Sequence, residues 1–171
     1  MIFRLSQKLN AKIRAGALAA LSLDENPFAD WSAALFVASR TQYILLSNTK
    51  SLYSTVMYGK GITNDSNFIE RALSNIREFM QDDGLEFVYQ RFIAPASASV
   101  RFAKALNRSV TGSINELIQQ AAAWLAEGDQ SPHDVGVRLN DILPSTLAQS
   151  KLASYGRPRD AFRSLLDDAG P

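Results

Sequence analysis

The side chains that carry most enzyme chemistry are nearly missing from this chain. It has no cysteine and one histidine, His133. Without thiols there are no disulfides, thiolate nucleophiles or cysteine zinc sites. A Ser-His-Asp triad would have to use His133, which sits between Pro132 and Asp134 at an expected helix start. An exposed helix-start residue is the better reading. One histidine also forbids a two-histidine metal site. The acidic pairs Asp82-Asp83 and Asp167-Asp168 fall at expected helix ends, and adjacent residues on a helix do not share a face. They read as solvated ends rather than metal ligands. No cofactor and no tightly held zinc or iron is expected, and carboxylates alone would suit magnesium or calcium at best.

Two short motifs resemble known sites and fail on context. Ser47-Asn-Thr-Lys50 has the Ser-x-x-Lys spacing of penicillin-recognising enzymes, which need the serine at a helix start. Here the run falls between expected strands, and no Lys-Thr-Gly follows. Gly59-Lys60-Gly61 lacks the spacing and hydroxyl of a phosphate-binding loop and reads as a turn.

The segment Asn107-Arg108-Ser109-Val110-Thr111-Gly112-Ser113-Ile114-Asn115 has residue types suited to binding. Ser113 and Glu116 have capping-box spacing and place a helix start there. Unpaired N–H groups and the helix dipole favour an anion at such a start. Arg108 adds a fork of donors, Ser109, Thr111 and Ser113 add hydroxyls, and Gly112 could turn the backbone toward a ligand. The expected site is Asn107, Arg108, Ser109, Ser113 and Asn115, joined by Lys8 and Arg40. The competing reading has Ser113 merely starting a helix and Arg108 pairing with a carboxylate. Phe87, Tyr89, Arg91, Phe92, Arg101 and Phe102 interleave aromatic and basic residues as nucleic-acid-binding sheets do. Ordinary half-buried strands show the same mixture more often.

The elements that must position these residues follow from periodicity. Residues 2–5 read as a short strand. Ser6 caps a helix to about Ala15, with Leu9 and Ile13 on one face and Gly16 as the stop. Residues 16–30 read as a loop. Three strands follow over 31–58 with short links, which argues for an antiparallel meander. Trp31 and Phe36 fall on opposite faces of the first of them, so both are expected to be buried if both faces are covered. A stripe from Phe68 to Met80 predicts a helix ending near Gly84. Residues 87–93 and 99–106 read as two further strands. Helices are expected from Ser113 to Gly128, from Ser131 to about Ile142, and over 158–171 with a frayed end. Residues 144–157 read as a loop. Strands followed by helices predict an α+β fold with a mostly antiparallel sheet of about five strands and helices packed on it.

Length and composition set the frame. A chain of 171 residues with 46% hydrophobic and 20% charged residues fits one globular domain, 1–171. Net charge is +1, but it is blocked along the chain. Residues 64–86 carry two basic and six acidic side chains, whereas 87–115 carry four basic and no acidic ones. That pattern predicts a two-signed surface. No apolar run reaches membrane-spanning length and the start lacks a signal-peptide pattern, so a soluble cytoplasmic protein is expected.

Leu5-Ser-Gln-Lys8-Leu9, Trp31-x-Ala33-x-Leu35 with Arg40, Asn48-Thr49, and above all Asn107-Arg108-Ser109-Val110-x-Gly112-Ser113-x-Asn115 resemble blocks of a bacterial family. Its members are small proteins known only as a domain of unknown function, some encoded beside plasmid-borne reading frames. The resemblance covers roughly residues 1 to 128. It implies a bacterial or mobile-element source and supplies no activity. The residues therefore lead to a non-catalytic binding protein for a phosphate-bearing or nucleic-acid ligand, or an acidic partner. The alternatives are an enzyme working without histidine or cysteine, and a structural module that oligomerises.

Overall fold

The sheet is built from both ends of the strand-rich region. A computed structural model describes residues 1–143 and 156–168. Five strands, β1 (Ile2–Leu5), β2 (Asp30–Ala38), β3 (Thr41–Asn48), β4 (Ser54–Tyr58) and β5 (Arg101–Ala103), lie in the order β4-β3-β2-β1-β5. The helices are α1 (Gln7–Ile13), α2 (Asp65–Asp82), α3 (Glu86–Val88), α4 (Arg108–Glu127), α5 (Pro132–Leu139) and α6 (Pro158–Asp168). The α+β class and the meander β2-β3-β4 are as expected, but the sheet is mixed. β1 pairs parallel with both β2 and β5. Residues 6–29 are long enough for the crossover that a parallel pair needs, and they carry α1. The expectation of a mostly antiparallel sheet missed this unit.

Helices cover both faces. On one, Phe3, Leu5, Trp31, Ala33, Ile44 and Leu46 pack with Leu9 and Ile13 of α1, Phe68, Ile76 and Phe79 of α2, Val88 of α3 and Phe162 of α6. On the other, Ala34, Phe36, Tyr43, Leu45 and Val56 pack with Leu117 and Trp124 of α4 and Val135 and Leu139 of α5. Trp31 and Phe36 are both buried, one in each layer, as strand alternation requires.

Two segments differ from the sequence reading. Residues 87–93 are helical, α3 running on as a π-helical turn over Tyr89–Ile93. Leu85, Val88, Tyr89 and Ile93 are buried, a three-to-four-residue spacing that a strand cannot direct to one side. The aromatic–basic strand therefore does not exist; the Arg91 guanidinium lies over the Phe87 and Phe92 rings at 5.8 and 5.3 Å. Only Arg101–Ala103 of the expected 99–106 strand is extended in the sheet. The loop expected over 144–157 lies almost wholly outside the described residues.

The second face also carries a polar clip. The Asn140 side chain accepts from the Ser54 N–H at 2.7 Å and donates to the Ser54 carbonyl at 2.8 Å. On the first face the Tyr53 hydroxyl donates to Asp83 at 2.9 Å, and Asp83 also pairs with Arg159 of α6. Burial pushes the Tyr53 hydroxyl above the usual phenol range, against the pull of Arg159 and Arg163. A phenol with a higher folded than unfolded pKa contributes stability that is intact below its ordinary pKa of about 10 and is lost as pH rises past it. Wild-type protein is expected to lose stability faster above about pH 10 than Tyr53→Phe. Melting curves between pH 8 and 11 test this, and parallel losses would show that other groups set the alkaline limit.

Candidate functional site

β1 and β5 point the same way and end side by side, at Leu5 and Ala103. β2, parallel to them, continues to Ala38. α1 follows β1 and packs on one face; α4 follows β5 and packs on the other. A crevice opens between these two helices, past the carboxyl ends of the strands. At this end of the sheet α1 and α4 leave two neighbouring parallel strands on opposite faces.

The crevice has a volume of about 1410 Å³. Its floor is Ala34–Val37 of β2. Lys8 and Asn10 of α1 form one wall, Thr111, Asn115 and Ile118 of α4 another, and Lys104-Ala105 and residues 16–18 a third. No acidic residue lines it, and neither Lys8 nor Lys104 makes an ion pair with a described residue. The Asn10 side chain donates to the Gly16 carbonyl at 2.9 Å, while its own carbonyl oxygen is shielded from water and has no partner among the described residues. Lys12 donates to Gln42 at 2.7 Å, bridging α1 to β3 at the mouth.

Arg4 holds the third wall in place. Its buried guanidinium donates through Nε and Nη2 to both Asp30 oxygens at 2.8 and 2.7 Å. It also donates to the carbonyls of Leu21, Ser22 and Lys104 at 2.9, 2.8 and 3.3 Å. The segment after α1 is thus tied to the sheet, and the Lys104 N–H donates to the Ala19 carbonyl at 2.9 Å.

The expected site divides. Lys8 and Asn115 line the crevice. The helix starts at Arg108, not Ser113, with the Asn107 side chain accepting from the Val110 N–H at 2.9 Å. Asn107 is therefore the helix cap, and Arg108–Asn115 is two helical turns, not a turn before a helix. The Ser113 hydroxyl is buried and donates to the Ser109 carbonyl at 3.1 Å. Arg108 and Ser109 are exposed at the first turn of α4 and do not line the crevice. Arg108 has no carboxylate partner among the described residues, where the competing reading placed a structural ion pair. Arg40 lies at the tip of the β2-β3 hairpin, where Ser39 and Arg40 both have positive φ, as a two-residue turn matching the strand twist requires. Asn10 and Lys104 lie outside the expected site, and Thr111 enters it only as a hydroxyl of the same segment; the pairing of β5 with β1 is what brings Lys104 across from α1.

Elsewhere, His133 lies at the start of α5. Its ring packs 5.2 Å from that of Phe79, and Nε2 lies 3.7 Å from Asp82. Among the described residues no group of three or more histidine, aspartate or glutamate side chains could hold a metal. No helix among them is long and apolar enough to cross a membrane.

A family model described as a domain of unknown function (DUF6933) matches residues 2–161. No curated protein and no solved structure matches the chain.

Proposed function

The chain belongs to this family of unknown function, DUF6933, and we propose that it is a non-catalytic binding protein that takes an anionic ligand in the crevice between α1 and α4. One observation carries the reading: two lysines with no ion-pair partner among the described residues face a crevice that no acid lines. Two positive charges without local neutralisation favour an anion there, and partial enclosure strengthens each interaction relative to open water. The lining holds no carboxylate or histidine, the side chains most used for proton transfer, and this favours binding over such chemistry.

Thermal shift with inorganic phosphate, nucleoside triphosphates, a single-stranded oligonucleotide and acidic peptides tests this, because binding to the native state raises the midpoint. At least one anion is expected to stabilise the protein. Lys8→Glu or Lys104→Glu is then expected to weaken it at least roughly tenfold, since each removes a charge-assisted contact. Arg108→Ala, outside the crevice, is expected to change binding much less and to shift the melting temperature by no more than about 2 °C, as exposed substitutions do. If no anion stabilises the protein, or binding survives both lysine reversals, the reading fails.

A further inference from the structure

The floor of the crevice is an unfinished sheet edge. β2 and β3 join through the two-residue turn Ser39-Arg40, with Ala38 opposite Thr41. Even-numbered residues of β2 therefore exchange main-chain bonds with β3, and odd-numbered ones turn theirs toward β1. The Ser6 N–H donates to the Ala33 carbonyl at 2.9 Å, and the Leu35 N–H to the Ser6 hydroxyl at 3.3 Å. There the pairing stops, because Ser6 caps α1 and takes the chain away. The Leu35 carbonyl and the Val37 N–H and carbonyl have no partner among the described residues, and Val37 is 58% exposed.

We infer that, given the anion-binding reading, the ligand is an extended acidic peptide that continues the line of β1 and adds a short strand to β2 between α1 and α4. An open edge supplies main-chain bonds that recognise extended peptide whatever its sequence. Lys8 on one wall and Lys104 on another then select acidic side chains or a carboxylate terminus. The volume of about 1410 Å³ exceeds the roughly 300–1,000 Å³ of small-molecule pockets, leaving room for several residues.

The test is an array of octapeptides alternating valine or isoleucine with aspartate or glutamate, alongside versions with lysine for each acid, titrated against the full chain by fluorescence anisotropy. The best binder is then N-methylated one position at a time. Acidic strands are expected to bind and lysine strands not. N-methylation should weaken binding at least about fivefold at alternate positions only, those that face β2. Val37→Pro, which removes one edge donor, should cause a similar loss. The N-methyl series uses unaltered protein, so it decides the matter even if Val37→Pro fails to fold. The inference is overturned if lysine peptides bind as well, or if no N-methylation matters. It is also overturned if a nucleoside triphosphate or oligonucleotide binds in a Lys8-dependent way while every peptide fails, an outcome that leaves the anion-binding reading standing. No binding by any anion sinks both.

Discussion

Asp30→Ala is expected to cost about 3–5 kcal/mol of stability, because it strands a charge that has nowhere else to go. The Arg4 and Asp30 side chains are 1% and 0% exposed, joined at 2.7 Å. Every other Arg4 donor is held by a main-chain carbonyl, and Asp30 also accepts from the Asp24 N–H at 3.1 Å. For a chain of this length the melting temperature should fall by roughly 6–20 °C. A fall under about 2 °C would mean that water reaches Arg4 and solvates it. The double change Arg4→Met with Asp30→Leu is expected to recover only part of the loss. Replacing a buried ion pair by apolar groups is often neutral, but here the carbonyls of Leu21, Ser22 and Lys104 would also lose their donor. Those carbonyls hold the third wall of the crevice, so ligand binding in the double variant should weaken even where the fold survives.

The same residues explain what the sequence made legible. Wherever one stripe decided an element, periodicity sufficed: Phe68 to Met80 is α2, and the alternation around Trp31 and Phe36 is β2 with both faces covered. The failures came from competing local signals. Phe87-Val-Tyr-Gln-Arg-Phe-Ile favours a strand by residue type, yet Leu85, Val88, Tyr89 and Ile93 bury one helical side against the core. Burial outweighed propensity, as it does where several large side chains are at stake. Ser113 with Glu116 imitated a capping box, but Asn107 is an equally good cap, and an apolar stripe continues back through Val110 to it. Placing the helix start there turned the expected anion loop into a helix face and moved the candidate site to the crevice beside it. Lys8 and Asn115 are legible by residue type, whereas Lys104 becomes their neighbour only through the β1-β5 pairing, which joins residues about a hundred positions apart. No local pattern encodes that contact.

Phe162→Ala is the second large expected effect, about 3–5 kcal/mol, and it asks whether α6 is part of the folding unit. The Phe162 ring stacks on Tyr53 with centroids 4.4 Å apart, and meets Phe28 and Trp31 edge-on at 5.2 and 6.2 Å. It is fully buried, and Ala161 and Leu165 bury the same side of the helix. Removing it leaves a cavity among the three remaining rings, all rooted in the meander or its approach. That cluster is rigid, so the cavity should collapse little and the cost should sit toward the upper end of the range. Asp168→Asn is the control. It breaks only the surface pair with Lys50 at 3.6 Å and should cost less than about 1 kcal/mol. Urea denaturation of both variants checks this. A midpoint that falls sharply for Phe162→Ala with the slope unchanged means that α6 unfolds together with the sheet. A loss below about 1 kcal/mol would mean that α6 docks on a core already complete without it, and that the ion pairs of Asp83 and Lys50, rather than the aromatic cluster, hold the helix in place.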